Sequence, residues 1–120
     1  MTRINCVPPA ELTGKHLVAE YRELPRIFGL VRAAIARGEQ PAVMDTYRLG
    51  ADHVRFFYTR LAWLARRQAA LIDEMKRRGY APQYGAPSLA GFPTEWCGDW
   101  QPTDEALALN RARIMERLPK

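Results

Sequence analysis

The sequence is poor in cysteine, in histidine and in long apolar runs. Its two cysteines, Cys6 and Cys97, lie far apart, and neither belongs to a Cys-x-x-Cys pair. Such thiols make no disulfide framework, so a small disulfide-stapled secreted fold is excluded and free cysteines in a reducing compartment are expected. No stretch approaches the roughly 20 apolar residues that cross a bilayer. The start, Met1-Thr2-Arg3-Ile4-Asn5, has no apolar core of the signal-peptide kind. A cytoplasmic protein with no membrane association is the expectation. Internal repeats, low-complexity tracts and period-two strand patterns are absent as well.

What is there is an ordinary globular composition over 120 residues, enough for one domain with one core, spanning 1–120. Eighteen Lys and Arg against 13 Asp and Glu give a net charge of +5. A compact basic domain suggests an anionic partner, nucleic acid first. A soluble protein that is merely basic fits the charge equally well.

Three helical segments are expected, joined by long loops rich in proline and glycine: an all-α, compact three-helix domain. The first helix runs from about Thr13, a good N-cap, to Arg37 before Gly38. Leu17, Tyr21, Leu24, Phe28, Val31 and Ile35 alternate by four and three and share one face. Pro25 interrupts this run; it removes one backbone donor and crowds the Tyr21 carbonyl, so a kink is expected there. The second helix is expected from His53 to Arg78, closed by Gly79, with a stripe of Val54, Phe57, Leu61, Leu64, Leu71 and Met75. Gln68 falls on that stripe, as a core glutamine or as a functional one. Residues 80–102 form a long loop whose Trp96 and Trp100 are expected to anchor it to the core. The third helix starts at an N-capping Thr103, with Asp104 and Glu105 in its first turn, and turns Leu107, Ile114 and Leu118 inward.

At roughly 100° per residue, His16 and Glu23 fall together on a side of the first helix away from its apolar stripe. Arg26 lies beside them and Arg22 beyond. Such a face is either solvated with i,i+4 pairing or a site. His16, Glu20 and Glu23 have the spacing of helical metal ligands, but no second cluster supplies more ligands and the arginines repel a cation; no metal is expected. The N-terminus adds a second kind of group. Threonine in second place permits removal of Met1, leaving the Thr2 α-amine, whose reference pKa is about 7.7–8.0. Neighbouring positive charge such as Arg3 lowers it further, and a neutral amine attacks an aldehyde-like carbon to form a Schiff base.

Met1-Thr2-Arg3-Ile4-Asn5, His16-Leu17, Ala19-Glu20-Tyr21-Arg22-Glu23-Leu24-Pro25-Arg26 and Phe28-Gly29 resemble the phage-type pyrimidine-dimer DNA glycosylases, the endonuclease V type with lyase activity at abasic sites. The resemblance continues through Leu49-Gly50-Ala51, His53-Val54, Phe56-Phe57-Tyr58, Arg67-Gln68, Arg78-Gly79, Gly98-Asp99 and Ala112-Arg113. It implies a cofactor-independent monomer that acts on double-stranded DNA containing damaged pyrimidines or abasic sites. It implies that the Thr2 amine attacks C1′ and displaces the base, that Glu23 moves protons, and that β-elimination then breaks the strand. Arg22, Arg26 and Arg3 would stabilise phosphate and developing charge. His16, Lys15, Gln68, Arg113 and Arg117 are the further candidate DNA contacts, and Arg60, Arg66, Arg67, Lys76, Arg77 and Arg78 are additional positive positions. The resemblance also implies a kinked duplex with an extruded base.

The chain departs from that pattern in three places. It ends at Leu118-Pro119-Lys120 without the family's aromatic tail, which leaves Trp96, Trp100 and Tyr84 as stand-ins. Lys15 replaces a neutral polar residue, and the loop from Glu39 to Tyr47 is short. Two alternatives stay open on the sequence: a lyase or glycosylase for another damaged base, and a catalytically silent basic DNA-binding module.

Overall fold

The computed structural model describes residues 3–50 and 52–117. Among these described residues five α-helices, α1 (Gly14–Glu23), α2 (Pro25–Ala36), α3 (His53–Phe56), α4 (Leu61–Arg77) and α5 (Asp104–Glu116), surround one hydrophobic core. Short 3-10 turns lie at Pro9–Glu11 and Thr94–Trp96. Among the described residues there is no strand, only an isolated bridge between Arg60 and Cys97, and no helix is long and apolar enough to cross a membrane. The all-α expectation holds, but two of the expected helices are each divided.

The first division falls at Pro25. Leu24 keeps right-handed helical angles (φ −56°, ψ −44°), so the chain passes from α1 to α2 through helical backbone, with the hydrogen-bond ladder interrupted where a kink was expected. In an unbroken helix the amide of residue 25 would bond the Tyr21 carbonyl, and proline has none to give. That carbonyl instead accepts from Gln68 Nε2 at 3.1 Å and from the Tyr84 hydroxyl at 3.4 Å. Thr13 caps α1, its hydroxyl accepting from His16 N at 3.1 Å. Gly38, at φ 83°, takes the left-handed conformation that ends the run after α2.

The second division was not expected. The helix foreseen from His53 stops at Phe56 and restarts at Leu61. The reason is tertiary. Gly98 N donates to the Thr59 carbonyl at 2.9 Å, and a Cβ on Gly98 would sit 2.4 Å from that oxygen. Only glycine lets the loop approach so closely. Arg60 completes the break by donating to Phe56 O and Met44 O, both at 2.7 Å.

Leu17, Leu24, Leu61, Leu64 and Leu71 are wholly buried, each stabilising the fold by about 1.5–3 kcal/mol. Trp96 is buried, and Trp100 packs against Tyr47, Phe56, Phe57 and Trp63, so both tryptophans anchor the long loop. Thr103 caps α5 as expected, accepting from Ala106 N at 3.0 Å. Leu107 and Ile114 are only half-buried; the deepest residues of α5 are Ala106 and Asn110. Leu118 lies outside the described residues.

Candidate active site

A groove of about 500 Å³ is lined by residues of the N-terminal segment (Arg3, Asn5), of α1 (Lys15, His16, Ala19, Glu20, Glu23) and of α5 (Arg113, Ile114) with Arg117. Helical spacing explains the α1 wall. Positions 16, 19, 20 and 23 recur at three and four and so stack on one side. Positions 113, 114 and 117 do the same at the end of α5.

Positive charge dominates this groove. Burial, and then the neighbouring Arg113 guanidinium, push the Arg3 pKa below the ordinary arginine value. Like charges gathered this closely are unfavourable without an anion between them. Three groove atoms, Arg3 Nη1, His16 Nδ1 and Arg113 Nε, are buried without a hydrogen-bond partner among the described residues. Two of them are guanidinium donors, and buried donors left unmatched mark a place where an acceptor belongs. Phosphate oxygens are the acceptors that arginine's fork fits best.

Within this cationic wall stand two carboxylates with different fates. Glu20 is buried and committed: Arg67 Nε and Nη2 donate to it at 2.8 and 3.1 Å, and Asn5 Nδ2 at 2.8 Å. Glu23, with its side chain 34% exposed, reaches the groove and pairs with Arg26 at 2.5 Å. It ends α1, and Arg26 follows in the first turn of α2, three residues on, the spacing at which helical side chains meet. No group of three or more His, Cys, Asp or Glu side chains suited to a metal gathers among the described residues.

The structure therefore brings Arg3, Lys15, His16, Glu23, Arg113 and Arg117 to one groove, with Arg26 at its edge. Arg22 is exposed on α1 and acts electrostatically on Tyr84 rather than lining the groove. Thr2 lies outside the described residues. Gln68 is wholly buried against the Tyr21 carbonyl and offers no surface to a duplex. Two of the additional positive positions are likewise buried, Arg67 holding Glu20 and Arg60 binding the Phe56 and Met44 carbonyls, and a third, the half-buried Arg78, donates to Leu12 O at 2.8 Å and to Glu74 at 2.6 Å. Arg66 pairs with Asp99 and Arg77 with Glu74.

Sequence reasoning missed the residues that hold the segment leading to the groove. His53 Nε2 accepts from Ile4 N at 2.8 Å while its Nδ1 faces Arg48 O at 3.0 Å. That pairing requires the neutral ring with its proton on Nδ1. Burial pushes its pKa down to about 4. Of the three aromatic stand-ins, Tyr84 alone is exposed, at 43%. It stacks on Tyr21 with centroids 4.5 Å apart and planes 9° from parallel, close enough to Glu23 for that charge to act on its hydroxyl.

A helical scaffold with a basic groove and a carboxylate in its wall is the class of surface that holds a phosphodiester backbone against an acid–base group. The family model described as pyrimidine dimer DNA glycosylase matches residues 1–87, and the chain belongs to that family. It is thus a DNA-repair glycosylase whose substrate is DNA. The match takes in the N-terminal segment and the α1 wall, while the α5 wall lies beyond it.

Proposed function

We propose that the protein is a bifunctional glycosylase and abasic-site lyase that removes ultraviolet-induced pyrimidine dimers through the α-amine of Thr2. The amine attacks C1′ of the damaged nucleotide, the glycosidic bond breaks, and the base leaves with its bonding pair. Loss of a proton from nitrogen and opening of the sugar ring give an imine between Thr2 and C1′. Glu23 accepts the proton released from nitrogen and passes it to the ring oxygen as the ring opens, and, a carboxylate again, removes a C2′ proton so that the 3′ C–O bond breaks by β-elimination and the 3′ phosphate leaves with the bonding pair. The carrying observation is the single groove that joins Glu23 to Arg3, His16, Lys15, Arg113 and Arg117, one residue along the chain from Thr2. A carboxylate placed in the wall of such a cleft is the kind of group that takes up and returns a proton beside the reacting sugar. The arginines take the flanking phosphates and stabilise charge as it develops.

Borohydride reduction of the protein on a duplex with one thymine dimer, and on a matched abasic duplex, tests this reading. The expected result is an adduct at Thr2 with both. Glu23→Gln should bind DNA as well as the native chain yet cleave about 10²–10⁴-fold more slowly. An adduct confined to abasic DNA would restrict the protein to lyase chemistry. No adduct on either, from protein whose Met1 is removed, would defeat the covalent mechanism.

A further inference from the structure

Residues 3–7 belong to no helix, and among the described residues no strand lies beside them, yet residues 4–7 are buried. Buried backbone groups must find partners, and here side chains from distant parts of the chain supply them. Ile4 N donates to His53, and Ile4 O accepts from the Tyr47 hydroxyl at 3.2 Å. Val7 O accepts from Arg67 Nη1 at 2.5 Å. The centre of this clasp is Asn110. Its Oδ1 accepts from Cys6 N at 2.7 Å and from Val7 N at 3.1 Å, and its Nδ2 donates to Asn5 Oδ1 at 2.8 Å. Asn5 in turn donates to Glu20. One wholly buried asparagine thus spends three hydrogen bonds on a segment more than 100 residues away in sequence.

Its place on α5 gives that clasp a direction. Arg113 and Ile114 follow Asn110 by three and four residues and Arg117 by seven, so one face of the helix both grips residues 5–7 and forms the far wall of the groove. From Asn5 back to Thr2 is a tether of at most ~10 Å at full extension. We propose that Asn110 is a positioning residue that sets the register of the N-terminal nucleophile against the α5 arginines. This rests on Thr2 being the nucleophile. A misplacement of about 1 Å costs an attacking group about 10²-fold in rate, whereas Arg113 and Arg117 bind phosphate from α5 and its C-terminal end and do not depend on where the terminus points.

The test compares the native chain with Asn110→Ala and with Leu107→Ala, a half-buried position of α5 that contributes to the core and has none of these hydrogen bonds to residues 3–7. Single-turnover borohydride trapping on an abasic duplex, duplex affinity and melting temperature are measured for each, well below every melting transition. Asn110→Ala should trap about 10²-fold more slowly with a far smaller loss of affinity, because Arg113 and Arg117 keep their places while Arg3 moves with the segment, while Leu107→Ala loses melting temperature but keeps the native trapping rate. Native trapping at Thr2 with an equal rate for Asn110→Ala would overturn the positioning role alone; no native adduct would instead overturn the nucleophile itself. Trapping losses that track melting temperature in both variants would also overturn the positioning role. Should Asn110→Ala not fold, Asn110→Ser replaces it, and a chain that folds with neither assigns Asn110 to the fold and overturns the proposal.

Discussion

Acid should loosen the protein through His53. In the folded chain the ring is 1% exposed, and its pKa is pushed down from 6.5 to about 4 by burial first, with Arg3 adding to the effect. Between those two values the unfolded chain binds a proton that the folded chain cannot. Stability is therefore full above pH 6.5 and is lost as pH falls toward 4. A shift of this size corresponds to about 3 kcal/mol, a large fraction of the roughly 5–15 kcal/mol that holds a domain together. His53→Gln separates titration from bonding, because an amide can accept from Ile4 N and donate to Arg48 O without ionising. Urea unfolding followed from neutral pH to about pH 4 should show the native midpoint falling more steeply than that of His53→Gln. Parallel curves for the two proteins would refute the reasoning, since the native chain would then owe none of its acid sensitivity to this ring.

Two other perturbations address the charge network. Arg67→Met strands the Glu20 carboxylate in the interior and removes the donor to Val7 O; chemical unfolding should register a loss of about 3–5 kcal/mol, and an unchanged midpoint would show that Glu20 finds another partner. Arg117→Ala should leave the fold intact and reduce the slope of log affinity against log salt by about 1, as fluorescence anisotropy on an undamaged duplex would measure; an unchanged slope would remove Arg117 from the phosphate path.

Much of the helical pattern and the groove's α1 wall were legible because both follow from spacing. Leu17, Tyr21, Leu24, Phe28 and Val31 face the core as the three-and-four alternation requires, and the same periodicity puts His16 beside Glu23. The break between Phe56 and Leu61 was not legible, since it depends on Gly98 docking against Thr59 from far along the chain. Gln68 was misplaced among DNA contacts although its explanation stood in the sequence: a proline inside a helix frees a carbonyl, and a buried amide on the facing helix can serve it. Asn110 carried a comparable signal, a polar residue at an inward position of a helix, but its partners lie at the opposite end of the chain. The groove's α5 wall was named through Arg113 and Arg117 only by resemblance, because nothing local says that the end of α5 lines the same groove as α1.

The arginines fall into two populations with different tolerances. Arg60, Arg67 and Arg78 act as staples, tying loop carbonyls and buried carboxylates inside the protein, while Arg3, Arg113 and Arg117 face the groove. A count of charges treats both kinds alike, so fewer arginines are available to a duplex than composition suggests. Exchange of arginine for lysine divides them. Outside, a lysine still supplies a point charge and releases a counterion. Inside, it cannot reproduce the planar fork that spans several acceptors at once. A lysine-for-arginine redesign that preserves every charge would therefore fail by unfolding before it failed by losing DNA.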